Sequence, residues 1–145
     1  MRIIVQRSKK SKVTIDSKVN GSIDFGVVLL VGFTDKDSET DIDYMIDKVT
    51  NLRIFDDENH VMNKSLLDVG GSALSISQFT LYADTKKGRR PSYISALSGE
   101  KATLLYDLFN QKLSKIVHVE TGIFGSDMLL NIENDGPVTI ILESR

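Results

Sequence analysis

The sequence predicts an α+β fold: one domain over residues 1–145, with a mostly antiparallel β-sheet, curled or barrel-like, and two main helices. Three observations carry this expectation. Many short segments alternate β-branched or aromatic residues with polar ones, the period of a strand. Only two stretches repeat apolar residues at helical spacing. No linker, internal repeat or low-complexity tract interrupts a length that suits one domain.

Residues 2–7 and 12–15 read as strands, and Asp16-Ser17-Lys18 as the turn of a hairpin returning through Val19 to Phe25. After Gly26, the run Val27-Val28-Leu29-Leu30-Val31 is apolar throughout, the signature of a strand covered on both faces. Ser38 with Asp41 three residues on has capping-box spacing. Ile42, Met45, Ile46 and Val49 then form one apolar stripe, predicting a helix. Arg53-Ile54-Phe55 reads as a short strand, Asp56 to Asn59 as a turn, and 60–71 as loop or short strand. Ser72 to Leu81 alternates as a strand, and the polar, basic stretch 84–92 reads as an exposed loop. A second helix is expected from an N-cap at Ser98 to about Ile116, with a core stripe of Leu105, Leu108, Phe109, the Lys112 stem and Ile116. Val117 to Thr121 and Val138 to Glu143 are closing strands, with Met128 to Ile132 a further candidate.

Composition narrows the function classes. With no cysteine, disulfides, thiolate metal sites and a cysteine nucleophile are excluded. The first seven residues turn polar too soon for a secretory signal, and no run reaches membrane-spanning length, so a cytoplasmic protein with no membrane partner is expected. A net charge of −2 argues against a basic coat for duplex DNA. Charge is nonetheless clustered: Lys9, Lys10 and Lys12 near the start, Lys86, Lys87, Arg89 and Arg90 mid-chain, and carboxylates between Asp35 and Asp43. Each cluster is most simply a solvated face. A basic cluster on a mildly acidic protein also suits holding a few phosphates at one end of a nucleic acid.

Most familiar catalytic patterns are missing. His60 and His118 have no metal-ligand spacing, no Gly-x-Ser-x-Gly elbow occurs, and Gly70-Gly71 lacks the lysine of a phosphate loop. Nothing singles out a carboxylate pair. Two stretches stand apart. Ser77-Gln78-Phe79-Thr80 sets three polar residues around one ring at a strand end. Asn134-Asp135-Gly136-Pro137-Val138-Thr139 contains one of only two prolines; alone it reads as a turn opening a strand.

Together the two stretches resemble the signatures of the D-aminoacyl-tRNA deacylases, also called D-tyrosyl-tRNA deacylases: Ser-Gln-Phe-Thr at 77–80 and Asn-x-Gly-Pro-Val-Thr at 134–139. The resemblance extends along the chain through Gln6-Arg7, Gly21, Gly26, Arg53-Ile54-Phe55, Met62-Asn63, Gly70-Gly71-Ser72, Ala83-Asp84-Thr85, Arg90-Pro91-Ser92 and Glu120-Thr121-Gly122. It implies an esterase that removes D-amino acids, and also glycine, from the 3′ end of tRNA. It further implies a homodimer in which a Gly-cisPro pair, here Gly136 and Pro137, enters the other subunit's site as a chirality filter. Ser77, Gln78, Phe79 and Thr80 would line that catalytic pocket, with Thr80 a possible nucleophile or the tRNA 2′-OH assisting instead. Arg7, Lys9, Lys86, Lys87, Arg89 and Arg90 become candidates for holding tRNA. No cofactor and no metal are expected.

Lysine is denser over Ser8 to Lys12 than the family pattern suggests, and Tyr93 stands where phenylalanine is common. Both departures bear only on the grip of tRNA. Two other readings remain open: an editing module of related fold that strips L-serine, and a non-catalytic RNA-binding dimer on the same scaffold.

Overall fold

The computed structural model describes residues 1–144, and its elements follow the expected order. They are β1 (Arg2–Ser8), β2 (Ser11–Ile15), β3 (Lys18–Ile23), β4 (Gly26–Gly32), α1 (Glu39–Asn51), β5 (Phe55–Asp56) and β6 (Met62–Lys64). There follow β7 (Ser72–Ser77), α2 (Gly99–Leu113), β8 (Val119–Thr121), β9 (Leu129–Asn131) and β10 (Asn134–Glu143).

The main sheet has the order β10-β1-β4-β7-β8, and a smaller one the order β3-β2-β9. Pairing is antiparallel at β10–β1 and β1–β4, but parallel at β4–β7 and β7–β8. The parallel pairs arise because α1 and α2 each lie on the crossover between neighbouring strands. Successive strand residues face opposite ways. Ile3, Val5, Val27, Leu29 and Val31 therefore pack with Ile42, Met45, Phe109 and Leu113 of the helices, while Val28, Leu74 and Ile76 pack with Val13 and Ile23 of the small sheet. This middle position explains the unbroken apolar run of β4. Fully burying each such side chain stabilises the fold by about 1.5–3 kcal/mol.

The curled, barrel-like sheet expected from the strand count is not found as a closed barrel: among the described residues the main sheet ends at open edges, β10 and β8. Its strands are covered by separate layers instead. The capping box is present, with the Asp41 carboxylate accepting from the Ser38 N–H at 2.9 Å and the Ser38 hydroxyl at 2.7 Å. The predicted stripe of α2 is displaced. Ala102, Tyr106, Phe109 and Leu113 are the buried positions, and Ile116 is exposed beyond the helix end.

Gly26 fixes the start of the β4–β7 pair. Its φ is +143°, and a Cβ there would lie 1.9 Å from the Ser72 carbonyl oxygen. Only a residue without a side chain lets β7 approach this closely, in the register that pairs Gly26 with Ser72 and Val31 with Ser77.

Candidate active site

β7 stops at Ser77, one residue before the chain leaves the sheet. The Gln78 N–H still donates to the Val31 carbonyl at 2.7 Å, and Phe79–Tyr82 then form a 3₁₀ turn. The expected strand to Leu81, with Ser77 and Phe79 on one side, is therefore replaced by a turn. Gly32 is the reason the turn fits: a Cβ on it would lie 2.9 Å from the Gln78 carbonyl oxygen. The turn brings Ser77, Gln78 and Phe79 to one wall of a cleft of about 280 Å³; Phe124, Ser126, Asp127 and Met128 line the other. Of this second wall the sequence marks only Met128, as the start of a strand candidate, and gives no sign that the segment faces the cleft.

Phe79 is 51% exposed and meets Tyr93 edge-on, with ring centroids 5.1 Å apart. Tyr93 follows a loop whose stem is closed by Asp84 and Ser92, joined by two backbone hydrogen bonds of 2.8 and 2.9 Å. Lys86, Lys87, Arg89 and Arg90 ride on that loop, all exposed. The Thr80 hydroxyl accepts a 2.5 Å hydrogen bond from the Gln78 amide. Among the described residues no imidazole or carboxylate hydrogen-bonds to Thr80, whose side-chain partner is the Gln78 amide. Nearby, burial first and the Asp37 charge second push the Tyr82 phenol up to about 12, keeping it protonated.

The second signature forms an elbow in β10. Gln6 pairs with Thr139 and Ser8 with Asn134, so residues 135–138 oppose Arg7 alone. The surplus residues bulge from an edge strand. Gly136 and Pro137 are exposed at the bulge, with a cis peptide between them. Asn134 staples its base. Its amide donates to the carbonyls of Arg7 and Val138, both at 3.0 Å, and its oxygen accepts from Gln6 at 3.1 Å and Thr139 at 3.2 Å.

Arg7 departs from the group of surface cations in which the sequence placed it. It is 9% exposed, and its Nη1 donates to the Ile54 carbonyl at 2.8 Å. Its Nε lies 3.3 Å from the Asp135 carbonyl and 3.2 Å from the Asp135 carboxylate. A guanidinium held in this way braces the elbow. Lys9, by contrast, is exposed and has no acidic partner among the described residues.

Elbow and cleft lie at opposite ends of the main sheet. Through β1, the elbow is level with Val27, whereas Ser77 pairs with Val31. Four residues along and three strand spacings across separate them by roughly 20 Å. One chain cannot bring them together.

Among the described residues no group of three or more His, Cys, Asp or Glu could hold a metal, and no helix is long and apolar enough to cross a membrane. His118 faces Glu120 at 3.0 Å, and His60 occupies a turn at φ +59°.

A family model described as D-Tyr-tRNA(Tyr) deacylase matches residues 4–143. A D-aminoacyl-tRNA deacylase of Clostridium botulinum is 56% identical, covering 100% of this chain and 98% of its own. The D-aminoacyl-tRNA deacylase of Bacillus cytotoxicus is 53% identical with 100% of both chains covered. Among solved structures, a c-Myc DNA Unwinding Element Binding Protein superposes with a TM-score of 0.95 at 36% identity, over 100% of this chain and 99% of that one. A probable eukaryotic D-amino acid tRNA deacylase superposes at 0.83 and 19% identity, over 97% of each chain, a likeness of fold alone.

Proposed function

The chain belongs to the D-Tyr-tRNA(Tyr) deacylase family, and on that premise we propose that it hydrolyses the ester of D-aminoacyl-tRNA in a composite site built by two copies. The observation that carries this reading is the separation of the signatures. An exposed, braced elbow and an open cleft at opposite ends of one sheet suit a twofold pair, in which each copy gives an elbow and receives one.

Mirror-image substrates carry identical groups, so selection requires fixing the ammonium and the ester and obstructing one side-chain direction. Backbone is the better obstacle, because a side chain can rotate away. The elbow at Gly136 and Pro137, held by Asn134 and Arg7, is such an obstacle, and specificity follows from a clash. A D side chain would point away from it. Glycine, with no side chain to strike the elbow, would pass as well.

In the reaction, water adds to the ester carbonyl carbon, the bond to the ribose oxygen breaks, and that oxygen takes the proton. The products are free D-amino acid and tRNA. The N–H groups of Phe79 and Thr80 open the 3₁₀ turn without intrahelical acceptors, which suits them to the developing oxyanion. With no base beside Thr80, the neighbouring 2′-OH of the terminal adenosine is the group best placed to orient or activate the water. Lys9, Lys86, Lys87, Arg89 and Arg90 would hold phosphates without reading sequence. The setting is cytoplasmic, where charged tRNA is found.

The test is ester survival when the pure protein meets D-tyrosyl-tRNA and L-tyrosyl-tRNA. Loss of the D ester with the L ester intact is expected. Hydrolysis of an L-seryl ester instead would point to the serine-editing reading. A second reading, nucleic-acid binding without hydrolysis, is favoured by the description of the 36%-identical structure; it predicts that both tyrosyl esters survive.

A further inference from the structure

The two basic clusters share the separation of the two signatures. Lys9 and Lys10 form the corner between β1 and β2, and that corner is tied to the elbow. The Lys9 N–H donates to the Glu133 carbonyl at 3.0 Å, Ser8 pairs with Asn134, and the Glu133 N–H donates to the Ser11 hydroxyl at 3.1 Å. The corner therefore moves with the elbow as one body. The other cluster, Lys86 to Arg90, sits on the loop rooted by the Asp84–Ser92 bridge and leading into Tyr93, against Phe79 at the cleft mouth. It moves with the cleft.

All six cations are exposed, and none has an acidic partner among the described residues. Other basic residues are used within the fold: Arg2 pairs with Glu143, Lys64 with Glu58, and Lys112 with Glu39 and Asp43.

We propose that one tRNA acceptor end is gripped by two subunits at once, by Lys9 and Lys10 of one protomer and by Lys86, Lys87, Arg89 and Arg90 of its partner. This rests on the composite-site reading above: whatever carries the elbow of one copy to the cleft of the other carries the lysine corner with it. Within a single chain the two clusters stand at opposite ends of the sheet, one beside the elbow and the other beside the cleft. Across the pair they converge on one cleft. The six residues are positioning residues that act through phosphate, away from the ester.

Mixed dimers test it. One chain carries Lys9→Glu and Lys10→Glu; the other carries Lys86→Glu, Lys87→Glu, Arg89→Glu and Arg90→Glu; each has its own affinity tag. Each homodimer is expected to keep the wild-type melting temperature and kcat, and to lose at least about tenfold in kcat/KM through KM, with a shallower dependence of log kcat/KM on log salt. In the mixed dimer one site combines both damaged clusters and the other has neither. It is expected to recover about half the wild-type rate per dimer, with wild-type KM and salt slope. If each cluster serves its own protomer's cleft, both sites carry one damaged cluster and the rate stays low, which overturns the arrangement across subunits. Homodimers with unchanged KM overturn the grip itself. Failure of the composite-site reading has a separate signature: wild-type chains that run as monomers by size and yield no doubly tagged species.

Discussion

The Arg7 guanidinium lies against Gly136 at the elbow: a Cβ on that glycine would stand 3.2 Å from Arg7 Nη2 and 2.7 Å from the Val138 nitrogen. With φ at +115°, Gly136 also occupies backbone space that other residues adopt at a cost of about 1–3 kcal/mol. Gly136→Ala therefore shifts the elbow before it disturbs the cleft. The ratio of D-ester to L-ester hydrolysis is expected to fall while the protein stays folded. Equal loss on both esters, read in parallel assays, would refute the gatekeeping role.

Arg7→Lys tests the brace from the other side. A lysine cannot reach the Ile54 carbonyl, the Asp135 carbonyl and the Asp135 carboxylate together as the planar guanidinium does. Urea unfolding should show a loss of about 1–3 kcal/mol. Discrimination between D and L esters should weaken with it, whereas tRNA affinity should hold, since Arg7 is buried.

Thr80→Ala separates the two chemical routes. With only the Gln78 amide beside its hydroxyl, Thr80 should be dispensable, and single-turnover hydrolysis should stay within about tenfold of wild type. Substrate lacking the terminal 2′-OH should instead react far more slowly. Normal turnover of that substrate would sink the RNA-assisted route.

Ser38→Ala removes the hydroxyl that donates to Asp41 and should cost about 1 kcal/mol by thermal melting. Hydrogen bonds from the Ser38 side chain, then its backbone, hold the Asp41 carboxyl below its ordinary value of 3.8. A depressed carboxyl stabilises the fold fully above its unfolded value and loses that contribution as pH falls through the folded one. The difference between wild type and variant should hence be constant at neutral pH and shrink below about pH 4, in a melting series.

Gly26→Ala would drive a Cβ into the Ser72 carbonyl oxygen, backbone that cannot rotate away. A loss of more than about 3 kcal/mol is expected, seen as insoluble or premelted protein. A well-folded variant would mean that β4 and β7 can part without consequence.

Local chemistry made much of this fold legible. Ser38 and Asp41 are three residues apart, and the stripe from Ile42 to Val49 has one apolar face only, so α1 could be read directly. α2 was harder because leucines occur around its circumference. The buried face was settled by Tyr106, whose hydroxyl reaches the Ser75 carbonyl at 2.8 Å, and by Ala102, which allows close approach. Neither fact is local in sequence. In the sequence Pro137 reads as the residue before a strand, yet β10 runs through it, since a bulge on an edge strand needs no N–H there. Arg7 looked like a surface cation because its partners, Ile54 and Asp135, are 47 and 128 residues away. The candidate residues Ser77 to Phe79 were legible as a motif; the wall from Phe124 to Met128 that completes their cleft was not.

The distance between elbow and cleft also bears on how the catalyst behaves at low abundance. If neither copy holds a finished site, dilution dismantles the enzyme without unfolding it. Below the dissociation constant of the pair, initial velocity would rise with the square of protein concentration, as mass action requires of a species made by two collisions' worth of chain.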